Sequence, residues 1–349
     1  MQALRALGIW DALAPHAAPL EKLRLVDGTR RLVRAPEVLF DCRELGLDSF
    51  GHNIENEVLL SELRAAAARK ANIRVIDTAI EEVIIGDGAV RLHAAGVDWK
   101  ALLVVAADGR NSICRRAAGI STERREFPQV ALTTNLRHTR PHENISTEFH
   151  TETGPFTLVP LPGMRSSLVW VLDPATADAM KRLNDAAIAR EIETRAHSIL
   201  GRMEIDGGRG AFPLSIEIAE QVAARRVALV GEAGHLLPPI GAQGLNLGIR
   251  DAVTIAELAA DAARTGKDPG GSDVLDAYNE RRRADVRTRA LAVELFNRSL
   301  LSDFLPAHLA RGLGLELAAR VGVFRRALMR QGLGTQDAAA PRLSRGETV

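Results

Sequence analysis

The second half of this chain contains an apolar run that ends in an acidic residue and is followed by a loop and a helical pattern. Small and β-branched residues from Val227 to Val230 predict a buried strand that ends at Gly231-Glu232. From about Gly244, apolar residues recur at helical spacing, which predicts a helix that begins at the loop. The free N–H groups at the start of such a helix face the bound ligand and stabilise negative charge.

The same order of elements occurs earlier in the chain. An apolar run that starts at Leu103 predicts another buried strand, with Asp108 and Gly109 at its end. Ser112 is then placed to cap a short helix. Asp-Gly alone is an ordinary turn sequence, so this motif gains its weight from the first one.

Further segments predict a sheet and the helices that cover it. The sequence around Asp27-Gly28 favours a hairpin, and residues 130–149 alternate as strands do. Residues 178–200 predict one helix across that sheet, with Met180 and Ile188 on its apolar face. Strands interspersed with helices favour an α/β fold.

The loop after Glu232 has the composition of a ligand-binding loop. A carboxylate at the carboxyl end of a parallel strand can accept hydrogen bonds from the hydroxyl groups of a sugar or polyol. Pro238 and Pro239 stiffen the chain, and Gly241 and Gly244 let the backbone approach a ligand with no Cβ between them. An acidic residue, two prolines and spaced glycines at these positions indicate a ligand-binding loop more specifically than a single glycine motif does.

Both motifs resemble those of the class A flavin-dependent aromatic hydroxylases, which have the p-hydroxybenzoate hydroxylase fold. The loop is most similar to that of the ubiquinone-biosynthesis hydroxylases, through its Pro-Pro-x-Gly-Ala-Gln-Gly-Leu-Asn stretch. The resemblance implies that the chain binds FAD and that Glu232 contacts the ribityl chain, where the family usually has Asp. The cofactor-binding residues it implies are Gly231, Glu232, Pro239, Gly241, Ala242, Gln243, Gly244, Leu245, Asn246, Asp108, Gly109 and Asn56.

Two of these motifs have a further implied role. Asp108 and Gly109 would help to hold flavin and reduced nicotinamide, with Arg115 or Arg116 near the pyrophosphate. Asn56 begins a helix that lies beside the flavin in the family, which often has Arg there. The leucines of that helix are interpreted as core residues because they repeat at i, i+4.

The resemblance also implies a reaction. NADH or NADPH reduces the flavin, O2 adds to form a C4a-hydroperoxide, and an aromatic ring is hydroxylated. The expected substrate is a lipophilic aromatic compound, a polyprenyl phenol of ubiquinone biosynthesis, and the expected location is cytoplasmic or peripheral to the inner membrane. A biosynthetic complex is a further possible partner. The sequence identifies no catalytic side chain and no metal ligands.

Two alternatives remain open. One is another flavin oxidoreductase on the same fold, such as a halogenase, although Trp10, Trp99 and Trp170 do not form the Trp-x-Trp element of halogenases. The other is a truncated, non-catalytic fragment or partner protein. A hydrolase is disfavoured because the chain has no Gly-x-Ser-x-Gly elbow.

The glycine motif that normally opens such a protein is not found in this sequence. Gly-x-Gly pairs begin at Gly86, Gly208, Gly312 and Gly332, and none continues to the third glycine of Gly-x-Gly-x-x-Gly. Residues 1–11 resemble instead the helix that follows that unit. We therefore expect the first βαβ unit to be missing, as in a truncated gene product, with a protein that is naturally shorter as the alternative.

Composition is that of a two-domain globular enzyme. The chain has 349 residues, of which 46% are hydrophobic, and its 45 basic and 44 acidic residues nearly cancel. Such a balance gives no indication of nucleic-acid binding. Cys42 and Cys114 are too few for a disulfide framework and are interpreted as buried thiols.

The expected architecture is a Rossmann-like FAD-binding domain interleaved with a mixed-sheet substrate domain and followed by C-terminal helices. The FAD-binding domain is assigned residues 1–22, 45–125 and 213–290, the substrate domain 23–44 and 126–212, the C-terminal helices 291–334, and a disordered tail 335–349.

The C-terminal part is rich in arginine. Residues 302–332 predict either helices that close on the FAD-binding domain or a basic amphipathic surface that contacts a membrane. The run Arg281–Arg283, beside Glu280 and Asp285, is interpreted as a solvated helix face. For His235, a structural hydrogen bond is favoured over acid–base chemistry.

Overall fold

The computed structural model describes residues 1–29, 36–239, 243–301, 316–317 and 320–333, with side chains described except at 292–301 and 331–333. Gly241 and Ala242 of the predicted cofactor-binding residues lie outside these ranges. The predicted tail at 335–349 also lies outside them, as does part of the predicted C-terminal helices at 291–334.

The helices are α1 (Gln2–Ala6), α2 (Trp10–Leu13), α3 (Asn56–Ala68), α4 (Ile113–Ala117), α5 (Pro174–Arg182), α6 (Asp185–Arg195), α7 (Gln243–Arg264), α8 (Ser272–Leu301) and α9 (Gly322–Leu333). The strands are β1 (Ala17–Leu20), β2 (Lys22–Asp27), β3 (Val38–Asp41), β4 (Gly51–Ile54), β5 (Glu82–Ile85), β6 (Val90–Ala94), β7 (Val97–Ala101), β8 (Val104–Ala106), β9 (Thr122–His138), β10 (Ile145–Thr151), β11 (Gly154–Leu161), β12 (Arg165–Leu172), β13 (Met203–Ile205), β14 (Gly210–Ala219), β15 (Ala223–Ala224), β16 (Val227–Leu229) and β17 (His235–Leu236).

Within the described residues, the largest sheet has nine strands. Their order is β17-β14-β9-β12-β11-β10-β2-β3, with β13 also paired to β9. Its neighbouring strands run antiparallel except β2 and β10, which are parallel. The predicted mixed sheet is thus confirmed. Strand β9 passes residue 126 and β14 passes residue 213, so the boundaries drawn at 125/126 and 212/213 fall inside strands. The division into domains stays a prediction.

Helices α5 and α6 pack on this sheet over its main hydrophobic core. Trp170 and Phe156 of the sheet are fully buried against Ile188 and Ile192 of α6. The prediction of a single helix over 178–200 was wrong. Helix α5 stops at Leu183, whose backbone is extended, and Asn184 starts α6 by accepting a hydrogen bond from the Ala187 N–H (2.9 Å).

The predicted hairpin around Asp27-Gly28 is present with a longer connection. Strand β2 pairs antiparallel with β3, from Lys22 opposite Asp41 to Leu25 opposite Val38. The chain therefore does not return directly after Gly28.

A smaller sheet carries the two acidic motifs. Strands β8 and β16 pair in parallel, and β15 pairs with β16 on its other side. Val227, Ala228 and Leu229 are fully buried in this sheet, as their composition predicts. Both predicted strands, and the helix predicted to begin near Gly244, are confirmed, but β8 is buried on one face only, since Val105 is 47% exposed.

The described end of the chain packs on the large sheet. Met329 of α9 is buried beside Val38 and Phe40 of β3, and Arg325 Nε donates to Glu44 Oε1 (2.9 Å). Across the part of the chain that the structure describes, no helix combines the length and apolarity needed to span a membrane.

Candidate functional site

The two acidic motifs lie side by side. In the parallel pair, Val104 stands opposite Val227 and Ala106 opposite Leu229, and the Val230 N–H donates to the Ala106 carbonyl (2.9 Å). The loops that follow, 108–110 and 231–233, therefore leave the sheet at the same edge. Because ligands of open α/β sheets bind at the carboxyl ends of the strands, this edge is the candidate site.

Glu232 meets the other motif through Arg110. Arg110 Nε donates to Glu232 Oε2 (3.1 Å), and both side chains are about half exposed. A pair this exposed contributes little to stability, about 0 to 1 kcal/mol. The carboxylate is therefore accessible, and it can exchange this contact for the hydroxyl groups of a ligand.

Arg115 donates hydrogen bonds to the backbone of both loops. Its Nη1 donates to the Ala233 carbonyl (2.8 Å), and its Nη2 donates to the Arg110 carbonyl (2.7 Å) and to Glu217 Oε1 (3.1 Å). Both partners of the Arg115–Glu217 pair are about nine-tenths buried. The predicted alternative, Arg116, is exposed and donates to the Asn111 carbonyl. Arg115 therefore aligns the loops, and its contacts are with the protein.

Asp108 is held at the start of α4. Ser112 caps this helix, as predicted, by accepting from the Arg115 N–H (2.9 Å), and Asp108 Oδ2 accepts from the Cys114 N–H (3.3 Å). Desolvation alone would raise the pKa of Asp108, but hydrogen bonds from Ser112 and the Cys114 backbone lower it below its ordinary value. Gly109 follows with φ +76°, a backbone conformation that favours glycine.

The two cysteines are buried free thiols, as predicted. Burial, and then the nearby Asp108 carboxylate, raise the pKa of Cys114 to about 12. A thiol that stays protonated is a poor nucleophile. Although Cys114 adjoins the site, it is a packing residue.

Behind Gly231 lies a buried carboxylate that the sequence analysis gave no role. Asp251 Oδ2 accepts from the Gly231 N–H (3.0 Å) and from His235 Nε2 (2.6 Å), and Asp251 Oδ1 accepts from Arg282 Nε (2.7 Å). Asp251 is 1% exposed and Arg282 is 4% exposed. His235 thus makes the structural hydrogen bond that was favoured for it.

The interpretation of the Arg281–Arg283 run as a solvated face was wrong for its middle residue. Arg281 and Arg283 are exposed, but Arg282 points into the protein and binds Asp251 and Asp285. The three side chains lie within one turn of helix but point about 100° apart in succession, so Arg282 faces inward while its two neighbours face solvent.

The start of α7 combines an open glycine with exposed neighbours. Gln243 is half-buried, while Gly244, Leu245 and Asn246 are exposed. Among the described residues outside its own helix turn, none has an atom within 4 Å of a Cβ built at Gly244, so their packing does not account for this glycine. Glycine in a helix costs about 0.5 to 1 kcal/mol relative to alanine. Its presence fits a helix start that a ligand approaches closely.

Helix α7 also contacts the strand end directly. A Cβ built at Gly248 would lie 3.3 Å from the Cα of Gly231, which itself has φ +60°. Glycines at both positions let the second turn of α7 lie against the loop that carries Glu232.

Two predicted residues stand apart. Pro239 is exposed in the loop. Asn56 is exposed at the start of α3, and no described contact links it to the other predicted residues. Its neighbour Glu55 binds Arg165 of the large sheet through two hydrogen bonds of 2.9 Å, which ties the start of α3 to β12.

Within the described residues, neither a metal cluster nor either of two open clefts offers an alternative to the ligand site at the acidic loops. Among the described residues, no group of three or more His, Cys, Asp and Glu side chains is placed to hold a metal ion. One open cleft lies beside Trp99 on β7 and another lies between α6 and β13. Neither borders the acidic loops.

The geometry fits a flavin with its ribityl chain at the acidic loops. An accessible carboxylate, an open glycine and a helix start stand together, and they match a ligand with hydroxyl groups and an electron-poor ring system. The buried polar groups behind them satisfy the backbone of the loop itself.

Comparison with known proteins agrees with this geometry. The FAD binding domain family matches residues 1–292. Ubiquinone hydroxylase UbiL of Rhodospirillum rubrum is 32% identical, over 98% of this chain and 80% of that protein. The 3-demethoxyubiquinol 3-hydroxylase of Escherichia coli is 31% identical, over 95% of this chain and 84% of that protein.

A solved structure supports the fold. That of p-nitrophenol 4-monooxygenase PnpA from Pseudomonas putida superposes with a TM-score of 0.76 at 19% identity, covering 96% of this chain and 86% of that one. The chain belongs to the FAD-binding monooxygenase family and is an FAD-dependent enzyme of the class that uses NADH or NADPH. The resemblance, the fold class and the cofactor predicted from the sequence are confirmed; the roles of the individual binding residues stay predictions.

Replacing Gly244 with alanine is expected to weaken FAD binding by about tenfold or more, a loss of about 1.4 kcal/mol. Among the described residues outside its own helix turn, the added Cβ meets no atom within 4 Å, and alanine favours a helix more than glycine does, so the apoprotein should be at least as stable as the wild type. FAD affinity is measured by fluorescence titration of the apoprotein, and stability by thermal unfolding.

The matched control is Gly88→Ala, a second glycine whose Cβ would meet open space, in the turn before β6. It should leave both FAD affinity and stability unchanged. Equal FAD affinities for wild type and Gly244→Ala would contradict the assignment of this helix start to the flavin.

Proposed function

We propose that this FAD-dependent monooxygenase hydroxylates the aromatic ring of a lipophilic phenol, a polyprenyl precursor of a quinone. The observation that carries the proposal is the meeting of the loops that contain Asp108 and Glu232 at one sheet edge, with α7 packed against Gly231. The relatives that are 32% and 31% identical over most of their length are named ubiquinone hydroxylase UbiL and 3-demethoxyubiquinol 3-hydroxylase, which supports the substrate class.

Bound FAD would supply the redox chemistry, taking electrons from reduced nicotinamide and activating O2. The residues that would hold it are Gly231, Glu232, Pro239, Gln243, Gly244, Leu245, Asn246, Asp108, Gly109 and Asn56. Gly241 and Ala242 belong to the same proposed set and lie outside the described residues.

Glu232 and the first turn of α7 would act on different parts of the cofactor. The Glu232 carboxylate accepts hydrogen bonds from ribityl hydroxyl groups, and Glu reaches one methylene further than the Asp that the family usually has. The N–H groups at the start of α7 stabilise negative charge on the ring by about 0.3 to 1 kcal/mol, and up to ~2 kcal/mol when partly buried.

The substrate is proposed to bind on the large sheet. Its edge strand β17 lies within the loop that follows Glu232, since Glu217 pairs with Leu236 and Ile218 with His235. A substrate held on this sheet would therefore lie near the flavin loop. Enclosure by the sheet would exclude water, which limits unproductive loss of peroxide.

The test is turnover by the full-length protein with FAD. For each molecule of NADH or NADPH oxidised, one O2 is consumed, one oxygen atom replaces a ring hydrogen as a hydroxyl group, and the other leaves as water. We expect a polyprenyl phenol to stimulate NAD(P)H oxidation and to gain one oxygen atom, as detected by mass spectrometry with 18O2.

A phenol without the polyprenyl tail serves as the matched control and should give weaker stimulation. If no phenol changes the rate of NAD(P)H oxidation, and all O2 consumed is recovered as hydrogen peroxide, the hydroxylase assignment is wrong. Incorporation of halide in place of oxygen would favour a halogenase.

A further inference from the structure

A continuous chain of charged and polar side chains links Gly231, just after the end of β16, to Gln243, at the start of α7. Arg282 Nε donates to Asp251 Oδ1 (2.7 Å), and Arg282 Nη1 donates to Asp285 Oδ2 (2.8 Å). Arg289 Nε donates to Asp285 Oδ1 (2.7 Å), and Arg289 Nη1 donates to Gln243 Oε1 (2.7 Å). We call Asp251, Arg282, Asp285, Arg289 and Gln243 the α8 network, because its three central members lie on α8.

The α8 network holds both ends of the segment that runs from Gly231 to Gln243. At one end Asp251 accepts from the Gly231 N–H, and at the other Arg289 donates to the Gln243 side chain. The side chains of Arg289 and Asp285 are only 19% and 22% exposed, so solvent screens them less than a surface pair. One helix therefore determines the position of two predicted flavin-binding residues.

Neighbouring arginines keep the Asp285 carboxylate of the α8 network ionised. Burial alone would raise the pKa of Asp285, but the hydrogen bond from Arg289 and the charge and hydrogen bond of Arg282 together lower it below its ordinary value of 3.8. Arg250 Nη1 lies within 3.4 Å of Asp285 Oδ2 as well. Asp285 thus holds Arg289 throughout the physiological pH range.

The contact from Arg289 also fixes which way the Gln243 amide is turned. A guanidinium group has only donors, so the atom facing it must be the amide oxygen. The Gln243 Nε2 group, with two N–H donors, is then directed away from Arg289. Among the residues that the structure describes, none accepts a hydrogen bond from it.

We propose that Arg289, held by Asp285, is a positioning residue that orients Gln243, so that the Gln243 Nε2 group donates a hydrogen bond to an acceptor atom of the flavin ring. The inference rests on the proposed placement of FAD at this loop. It assigns Gln243 as a donor to the cofactor and gives Arg289 and Asp285 a role in cofactor binding without contact to it.

Gln243→Glu tests the donor directly. The variant keeps an oxygen for Arg289 and replaces the outward N–H donors with a second oxygen. We expect FAD affinity to fall by about tenfold, because one hydrogen bond is lost and two acceptors are brought together, while the thermal stability of the apoprotein is kept.

Arg289→Met tests the positioning role. It should weaken FAD binding by about three- to tenfold, whereas Arg289→Lys, with one cationic group for two acceptors, should recover only part of that loss. In a Gln243→Ala background, Arg289→Met should have no further effect on FAD affinity, because the side chain that it orients is gone. Arg287→Met, an exposed arginine on the same helix, is the matched control and should bind FAD as the wild type does.

FAD affinity is read by fluorescence titration, the ring environment by the absorption spectrum of the bound flavin, and stability by thermal unfolding of the apoprotein. A purely structural role for Arg289 would lower thermal stability and leave FAD affinity and the flavin spectrum unchanged, which would overturn the inference. FAD affinities of Gln243→Glu and Arg289→Met equal to the wild type would overturn it too. Failure of the wild type to hydroxylate any phenol would count against the proposed substrate only.

Discussion

Replacing Arg282 with methionine is expected to lower the free energy of unfolding by about 3 to 5 kcal/mol, because it leaves the buried Asp251 carboxylate without its cationic partner. Asp251 is 1% exposed and depends on Arg282 as its cationic partner, with His235 and the Gly231 N–H as its other donors. Arg282 Nη2 is itself buried without a partner among the described residues, which places the expected loss at the lower end of that range. Against a total stability of about 5 to 15 kcal/mol, this is a large fraction.

The neighbouring arginines provide matched controls. Arg281→Met and Arg283→Met remove the same charge from exposed positions one residue away, and each should change the free energy of unfolding by no more than about 0.5 kcal/mol. Urea denaturation followed by circular dichroism measures all three variants of the apoprotein. If the three variants lose equal stability, Arg282 has no special role in the α8 network.

Arg282 also illustrates why the sequence analysis was incomplete. Three consecutive arginines beside acidic residues are typical of a solvated helix face, and for Arg281 and Arg283 that is correct. The signal that distinguishes Arg282 is its spacing from Tyr278, Asp285 and Arg289, at i−4, i+3 and i+7, which places all four on one face. Because Tyr278 is fully buried, that face points inward.

The elements that could be predicted are those set by local pattern. Apolar runs predicted β8 and β16, and apolar residues at helical spacing predicted α7. In each case the signal is the pattern of buried positions within the element itself. The pairing of β8 with β16 was not predicted, since no pattern within either run states which strand it pairs with. The break between α5 and α6 was missed because apolar residues continue at helical spacing across Asn184, whose capping role depends on the backbone turn.

Within the site, the residues that face a ligand were easier to predict than those that hold them. Glu232 and Gly244 belong to a contiguous motif, and their positions follow from its spacing. Arg110 and Arg289 act on that motif from other segments, and their long-range contacts with Glu232 and Gln243 leave no periodic signal in one sequence. Asn56 shows the converse, since a matching helix position alone did not bring it into contact with the other predicted residues.

Replacing Arg115 with methionine is the second change expected to have a large effect, about 3 to 5 kcal/mol of unfolding free energy. It leaves the nine-tenths-buried Glu217 carboxylate without its partner and two carbonyl oxygens, of Ala233 and Arg110, without a donor. Arg116→Met is the matched control, since Arg116 is adjacent, exposed and bound to one carbonyl oxygen, and it should be nearly neutral.

The Arg115 variant should weaken cofactor binding as well, which separates it from an ordinary core defect. Arg115 is the side chain whose donors reach the backbone of both acidic loops, so its loss lets Glu232 and Asp108 move relative to each other. FAD affinity of the folded variant, measured by titration below its unfolding temperature, should fall by about tenfold, equivalent to about 1.4 kcal/mol. A variant that loses stability but binds FAD with wild-type affinity would mean that the loops keep their alignment through the β8–β16 pairing alone.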